Sequence, residues 1–415
     1  MIDPPRKDTA KTISSLQEAH ISIKMITGDH RKIAKETSKL IGLIGEKDDD
    51  DDIIRTGEEI REQNALSNFN IKNDMMLSTK VFAEVLPSDK REVIVNLKYE
   101  NDIIVGMVSS VDFMCCRNFF TAYYSLFALS FHLRRDIVQT GDGVNDVSAL
   151  VAANVGIAVH GSTDAVRNVS DLILTKEGLQ PIYGAVLESR KIFERIKAYV
   201  VYRMSSSLML VLTLTTIAFS RYGCVVDSLW ILLLALVNDV SLLPIAYDNA
   251  HATTQPQNAR CTMKLVYTSL YYGISQTIFS LFFIMNMTTT KEDDDILVSS
   301  DSAGCAKDIQ GFVWLQLVLV TELAIFSVRS PTYFWRMFTT SSLSSSSVRP
   351  SFGLILSIAT TCTACSLIAV LFSDLSGMNM VLIWLFNIAS FIFIDIGKVF
   401  FRKFIKDEPG ELILT

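Results

Sequence analysis

The pattern of apolar and polar positions divides the chain into two parts. The first 198 residues mix short apolar runs with charged helical segments, whereas from Tyr199 onward apolar runs recur at the length of ~20 residues that crosses a bilayer. Six runs predict membrane spans at about 199–219, 229–247, 265–287, 311–328, 352–373 and 379–401. We therefore predict a polar domain over 1–198, six transmembrane helices over 199–405 and a short tail over 406–415.

The polar part alternates strand-like and helix-like segments. Predicted strands are "ISIKMI" (21–26), "IVGM" (104–107), "VGIAV" (155–159) and "DLIL" (171–174). This alternation is typical of an α/β doubly wound parallel sheet, in which ligands bind outside the carboxyl ends of the strands. Polar segments stand at two such ends, "TGDH" (27–30) and "TGDGVND" (140–146).

Composition fits a membrane protein with a polar domain. The chain is 49% apolar and 20% charged, with a mean hydropathy of +0.33, which is too apolar for an ordinary soluble protein and too charged for a pure membrane bundle. Lys and Arg predict a cytoplasmic polar domain, because twelve lie on its side of the spans and three, Arg221, Lys291 and Lys307, lie opposite. The net charge of −6 says little about partners, and the lack of a basic, aromatic-rich face predicts no nucleic-acid partner.

Two features that could suggest metal sites have simpler interpretations. The acidic segment 45–70, "GEKDDDDDIIRTGEEIREQNALSNFN", is predicted to be a solvated loop, because a block of like charges repels itself. Cys362 and Cys365 lie within an apolar run without polar ligands beside them, so a packing role is favoured over zinc.

Asp142 and Asp146 are the candidates for cation chemistry. They stand four residues apart at a predicted helix start, which places both carboxylates on one face, and carboxylate oxygens suit Mg²⁺. The glycines at 141 and 143 would let the backbone approach a phosphate. Capping of the helix by Asp142 or Asn145 explains the same residues equally well. A calcium-binding EF-hand loop is excluded, because its twelfth position is Ala153 instead of glutamate.

Four motifs occur in the order seen in P-type ATPases, and membrane helices follow them. They are "DPPR" (3–6), "MITGD" (25–29), "PSDK" (87–90) and "TGDGVND" (140–146). The chain thus resembles the C-terminal half of a P-type cation-transporting ATPase. The resemblance implies a HAD-like phosphorylation domain, with Mg²⁺ and ATP as cofactors. One departure is "NDVSAL", where the family usually has "NDAPAL"; it changes the helix start and leaves the carboxylates in place.

The resemblance also implies roles for the first motifs. Thr27 would hydrogen-bond the phosphoryl group, Gly28 belongs to the same catalytic motif, and Asp29 would lie near the hinge that faces the nucleotide. Lys90 would neutralise phosphate charge with its compact ammonium group.

The remaining motifs are implied to hold the cation and the nucleotide. Asp142 would bind Mg²⁺, and Asn145 and Asp146 would complete the polar cluster that positions it. Asp3 and Arg6 would lie at the hinge towards a nucleotide-binding domain. This set suits phosphoryl transfer, which depends on positioning and charge neutralisation.

The phosphorylation motif of the family, "DKTG", does not occur in this sequence. We therefore expect the chain alone not to hydrolyse ATP by the family mechanism. One interpretation is an incomplete record of a proton-translocating ATPase. The other is a non-catalytic half-pump that binds an intact pump, a separate N-terminal half or a second copy of itself.

The second predicted span suggests the transported ion. It reads "LLLALVNDVSLLPIAYDNA", with Asn238 and Asp239 mid-membrane, and Pro244 cannot donate to the carbonyl of Val240, so the helix can open beside the carboxylate. "IAYDNA", "VYR" (201–203) and "LQLVLVTELAIF" (315–326) resemble the plasma-membrane proton-pumping branch. The resemblance implies H⁺ as the transported cation and the plasma membrane as the location.

Several observations leave the ion open. Met209 stands where that branch often has a basic or polar residue, and a pump for sodium, potassium or calcium remains the alternative. Glu322, in the fourth span, either belongs to the ion path or forms a structural hydrogen bond between helices. Asp395, near the inner end of the last span, is interpreted as an interfacial residue beside Lys398.

An unusual segment separates "IVGM" from "TGDGVND". Members of the family run almost directly from one to the other, whereas here the 32 residues of 108–139 intervene. Val codons begin with GT and one Gln codon is CAG, which match the two ends of a spliceosomal intron, and 32 codons preserve the reading frame. We therefore predict that 108–139 is a translated, retained intron and is poorly packed.

Overall fold

The computed structural model describes residues 8–45, 53–65, 76–101, 105–108, 113–116, 137–141, 146–219, 226–252, 262–292, 307–339, 349–373 and 375–404. The chain forms two compact units. The sheet unit comprises Met1–Phe193 with Ala252–Arg260, and the helical unit comprises Glu194–His251 with Cys261–Thr415. We describe each unit by itself.

The sheet unit alternates helices and strands, as the sequence predicts. Its elements are α1 (Thr9–Glu18), β1 (Ser22–Ile26), α2 (Arg31–Leu40), β2 (Ile54–Thr56), α3 (Gly57–Ala65), β3 (Val81–Ala83), α4 (Pro87–Asn101), β4 (Val105–Val108), β5 (Phe113–Cys116), β6 (Ile137–Gly141), α5 (Val147–Ala152), β7 (Val155–Ala158), α6 (Asp164–Val169) and β8 (Leu172–Ile173).

The eight strands form one sheet in the order β2-β3-β1-β5-β4-β6-β7-β8. The pairings are parallel except those of β5, which runs antiparallel to β1, β4 and β6. The four predicted strands become β1, β4, β7 and β8, each within one or two residues of its predicted bounds. The apolar side chains of β1 and β7 are buried, Ile26 and Ile157 almost fully, which explains why these two short runs belong to the core.

The prediction that 45–70 is a solvated loop is wrong for the part that the structure describes. Residues 54–56 pair with β3 as strand β2, and α3 follows from Gly57. Ile54 and Ile60 are buried in the core of the sheet unit. The acidic composition concealed these two apolar anchors, because a run of charges dominates any average over the segment.

The helical unit contains the predicted membrane segments. Its helices are the C-terminal part of α7 (Gln180–Phe219), then α8 (Ser228–Ser241), a 3₁₀ turn (Leu243–Tyr247), α9 (Thr262–Glu292), α10 (Lys307–Arg329), α11 (Arg336–Thr339), α12 (Phe352–Phe372) and α13 (Gly377–Phe404).

Five helices within the described residues are long and apolar enough to cross a membrane. They cover five of the six predicted spans. The remaining span, 265–287, lies in α9, which is long enough but carries more polar side chains, among them Gln276 and Ser280. A sixth span therefore stays a prediction.

Helix α10 is the most enclosed helix of this unit. In its most apolar stretch of 18 residues, 89% is buried, against 39% or less in the corresponding stretches of the other four candidate spans. It packs against α8, α12 and α13, and its Trp314 and Leu315 are almost fully buried. Polar residues on α10 are therefore held in the middle of the helical unit.

Candidate functional site

The first candidate site begins at the carboxyl end of β1. Thr27 is buried, its N–H donates to the Phe82 carbonyl at 2.8 Å, and its Oγ1 accepts from the Asp29 N–H at 3.1 Å. The threonine is thus part of the sheet edge and of the turn through Gly28 that follows it. This is the strand end at which a doubly wound sheet binds ligands.

The loop after β3 joins the second motif to the first. The Glu84 N–H donates to the Asp29 carbonyl at 2.9 Å, and the Val85 N–H donates to the Thr27 carbonyl at 3.1 Å. Glu84 has φ of 55°, in the left-handed region, which turns the chain sharply away from the sheet. Two backbone hydrogen bonds therefore fix "TGD" against the segment that leads into α4.

Lys90, in the first turn of α4, pairs with Asp146 across 56 residues of sequence. Lys90 Nζ lies 2.9 Å from Asp146 Oδ1, with 8% and 4% of the two residues exposed. Asp146 occupies the N-cap position of α5, but its side chain makes no capping hydrogen bond. The Asp146 carboxylate therefore binds Lys90 instead of capping α5.

Some sequence-predicted site residues lie outside the described residues. They are Asp3, Arg6, Asp142 and Asn145. The structure brings together Thr27, Gly28 and Asp29 at one strand end, and Lys90 with Asp146 at two neighbouring helix starts. The predicted positions of the other four residues stay predictions.

Sequence reasoning missed Asp89, which stabilises the start of α4. Asp89 is buried, its Oδ2 accepts from the Leu86 N–H at 3.1 Å, and the same oxygen pairs with Arg61. A Cβ at Gly57 would lie 2.7 Å from the Glu84 carbonyl oxygen and 3.0 Å from Asp89 Oδ2, so only glycine fits there. Proline at the first helical position, followed by an acid in the first turn, is a sequence signal for a helix start that could have identified Asp89.

The donors present suit a phosphate with a divalent cation. Lys90 supplies a buried positive charge, Asp146 supplies carboxylate oxygens, and Thr27 supplies a hydroxyl at the same end of the sheet unit. Within the described residues, no group of three or more His, Cys, Asp or Glu side chains could hold a metal by itself. A magnesium site here would accordingly need further ligands, and Asp142 stands four residues before Asp146.

The second candidate site lies at a break in α8 of the helical unit. The α-helix ends at Ser241, two residues after Asp239, and a 3₁₀ turn containing Pro244 continues the chain. This agrees with the expectation that the helix opens beside the carboxylate. Arg203 Nη1 on α7 lies 2.6 Å from Asp239 Oδ1, and the described residues leave 43% and 56% of these two side chains exposed.

Asn238, next to Asp239 in the sequence, contacts α10, whereas Asp239 contacts α7. Asn238 is buried, and its Oδ1 accepts from Thr321 Oγ1 on α10 at 3.3 Å. One turn along, Ser241 Oγ donates to Glu322 Oε1 at 2.6 Å. Glu322 is fully buried, and its Oε2 has no hydrogen-bond partner among the residues that the structure describes. Asp239 and Glu322 thus lie on different sides of the same helix break.

Asp395, interpreted from the sequence as an interfacial residue, is fully buried within the helical unit, and its depth in a membrane stays a prediction. It does lie beside Lys398, with Oδ1 at 2.5 Å from Nζ. Oδ1 also accepts from Ser327 Oγ at 2.6 Å, and Oδ2 accepts from the Phe334 N–H at 2.9 Å. Lys398 donates to the carbonyls of Ser327, Ser330 and Thr332. The pair clamps the C-terminal end of α10 to α13.

Comparisons with known proteins give the family. No family model matches the chain. A Methanocaldococcus jannaschii protein named a cation-transporting ATPase is 29% identical over 344 residues, which are 81% of this chain and 36% of that protein. The probable proton ATPase 1A of Leishmania donovani is 33% identical over 290 residues, 66% of this chain and 26% of the relative. The probable plasma membrane ATPase of Dictyostelium discoideum is 30% identical over 350 residues, 81% of this chain and 28% of the relative.

The matched part of each relative is about a third of its length or less. A match over 81% of this chain extends into both units, since neither unit by itself makes up that share. The motifs, the parallel sheet and the apolar helices agree with these names. This chain is therefore homologous to the P-type ATPases, plasma-membrane proton ATPases among them.

Proposed function

We propose that this chain is the C-terminal portion of an ATP-driven, proton-exporting P-type pump of the plasma membrane, with its sheet unit in the cytoplasm. The observation that carries the proposal is the broken helix α8, which holds Asp239 beside Arg203 and reaches Glu322 through Ser241. Carboxylates inside a membrane segment are costly, and they are retained where an ion passes.

The contacts at the break in α8 suit the binding of a proton by one carboxylate better than the binding of a metal ion by several oxygen ligands. Among the described residues, Asp239 pairs with Arg203 and Glu322 accepts from the Ser241 hydroxyl, and no group of three or more acidic, His or Cys side chains converges there. A calcium or sodium site would need several oxygen ligands converging on one point. A proton needs one carboxylate whose surroundings change, and Asp239, at the end of an α-helix, is placed where a small change of backbone would alter its contact with Arg203.

The sheet unit supplies the other half of the proposal. Lys90 would neutralise a phosphoryl group that Thr27 hydrogen-bonds, and Asp146, with Asp142 and Asn145, would hold Mg²⁺. Mg²⁺ supplies charge neutralisation for phosphoryl transfer, and the chain's own role is to position that charge. In the described structure Lys90 and Asp146 neutralise each other, so binding of phosphate and Mg²⁺ would replace one ion pair by two favourable contacts.

The experiment joins this chain to the N-terminal portion of the Leishmania donovani relative and reconstitutes the product in vesicles. Asp239→Asn is expected to stop ATP-driven acidification and leave nucleotide binding intact, because only the membrane carboxylate changes. Asp142→Asn is expected to abolish turnover of the phosphoenzyme by weakening magnesium binding. Ser228→Ala, at the far end of α8, is the matched control and should pump normally.

Three results would redirect the proposal. Continued acidification by the Asp239→Asn variant would remove that carboxylate from the proton path. Stimulation of ATP hydrolysis by sodium, potassium or calcium would favour a pump for that ion. If the joined protein never forms a phosphoenzyme although the isolated chain inserts in membranes, the alternative of a non-catalytic half-pump, which binds a pump or a second copy of itself, is favoured.

A further inference from the structure

Strand β7 has more partners than a strand has edges. One edge pairs with β8, through Ile157 opposite Leu172 and Ala158 opposite Ile173. Both β4 and β6 pair with β7 as well, and both do so in parallel. Because a strand offers only two hydrogen-bonding edges, β4 and β6 take the same position beside β7.

The two occupants of this position share one register. Three residues of β7 each have one partner on β4 and one on β6. Val155 lies opposite Gly106 and Val138. Gly156 lies opposite Met107 and Gln139, and Ile157 lies opposite Val108 and Thr140. The two partners in each case lie 32 positions apart in the sequence. The direct pairing of β4 with β6, Val105 opposite Ile137, has the same separation.

This separation equals the length of 108–139, which the sequence singled out on other grounds. Joining Met107 to Thr140 gives "VGMTG", a single strand in which the last four residues keep their present partners on β7. Gly106 stays opposite Val155 and Gly141 stays opposite Ala158. If the two segments were joined with a shift of an odd number of residues, the side chains after the join would turn to the wrong face of the sheet, because the period of a strand is two residues.

The same segment explains the other irregularity of the sheet. Strand β5, which belongs to 108–139, is antiparallel to β1 and to β4 and lies between them. Without 108–139 the described strands are all parallel, as expected for a doubly wound sheet. A single inserted segment therefore explains why β4 and β6 both pair with the same edge of β7, and why one strand of the sheet is antiparallel.

We infer that residues 108–139 interrupt a single strand, and that the chain without them is the form in which "VGMTG" occupies the edge of β7 alone. The consequence reaches the candidate site, because Thr140 and Gly141 stand immediately before Asp142. In the uninterrupted chain one strand determines where the Asp142 loop leaves the sheet, whereas in the interrupted chain β4 and β6 compete for that position. The inference rests on strand pairing and is independent of the proposed function.

The test compares hydrogen exchange in the full chain and in deletion variants, all expressed in membranes. The variant that lacks 108–139 should exchange the amides of a peptide covering β7 at least roughly tenfold more slowly than the full chain, because β7 then has one permanent partner on that edge. The matched controls lack 109–139 or 107–139, which are one residue shorter or longer. Each shifts the register by one residue and should protect β7 no better than the full chain.

Equal protection of β7 in the full chain and the 108–139 deletion, or in all three deletions, overturns the inference. So does accumulation of the two control deletions in membranes when the 108–139 deletion is degraded. If none of the deletions accumulates, sequencing of the transcript decides. Messages that lack the 96 nucleotides of these 32 codons support the inference, and their absence overturns it.

Discussion

Two places in the helical unit hold buried acidic groups in opposite ways. In the C-terminal part of α13, Asp395 has both oxygens bonded and a lysine at 2.5 Å. At the break in α8, Glu322 has one oxygen bonded to Ser241 and the other without a partner among the described residues. Burial alone therefore does not identify an ion path. An acid whose two oxygens are both hydrogen-bonded has a structural role, whereas an acid with one unbonded oxygen can still accept a proton or a cation.

The largest expected effect comes from breaking the clamp. Asp395→Asn or Lys398→Met should destabilise the helical unit by ~3–5 kcal/mol, because each leaves a buried charge without its partner. The double variant should recover most of that loss, since neither charge remains. Thermal unfolding of the full chain in detergent measures all three. Single variants as stable as the unmodified chain would show that the clamp contributes nothing to holding α10 against α13.

The buried pair of the sheet unit should tolerate change somewhat better. Lys90→Met leaves Asp146 without its cation, and we expect a loss of ~3 kcal/mol, the lower end of the range for buried pairs, because both side chains keep slight contact with solvent. Limited proteolysis of the sheet unit measures the change. Lys98→Met, on the same helix, is the control, and an equal effect of both variants would contradict a special role for Lys90.

Removal of the charge from Glu322 should stabilise the helical unit instead of weakening it. Glu322→Gln keeps an oxygen for Ser241 and removes a buried acid that pairs with no cation among the described residues, so we expect a gain of ~1–2 kcal/mol in the free energy of unfolding. Asn238→Ala is the comparison, because it removes a bonded group and should cost stability. A marked loss in Glu322→Gln would mean that the carboxylate has a structural partner.

The smallest effect is expected at Arg203. Because the described residues leave about half of the Arg203 and Asp239 side chains exposed, Arg203→Ala should cost only ~0.2–1 kcal/mol, as for other exposed ion pairs. Thermal unfolding in detergent again gives the value. A loss of the size expected at Asp395 would show that this face is dry in the complete protein and that Asp239 needs its arginine to remain charged.

Local patterns in the sequence were enough for much of the fold. Apolar runs located β1, β4, β7 and β8 and the helices of the second unit, because short buried strands and long apolar helices differ clearly in length. The strand β2 was missed, because Ile54 stands beside five consecutive aspartates whose charge dominates the segment.

Pairings between distant residues could not be read in the same way. Lys90 and Asp146 were each assigned to the site by motif, but their contact at 2.9 Å depends on how α4 packs against α5. Arg203 was noted within "VYR", yet its pairing with Asp239 requires α7 and α8 to lie side by side. Motifs thus identify which residues act, and tertiary packing decides what each one touches.

The early end of α8 has an electrostatic consequence. A helix carries a partial negative charge of roughly half an electron at its C-terminus, where the last carbonyls lack partners within the helix. In α8 that end falls at Ser241, whose carbonyl accepts from the Ser357 hydroxyl at 3.1 Å, and it lies next to Glu322 and within one turn of Asp239. The backbone dipole and the Glu322 carboxylate therefore act in the same direction, whereas Arg203 offsets the charge of Asp239, so the buried side of the break favours positive ions over anions.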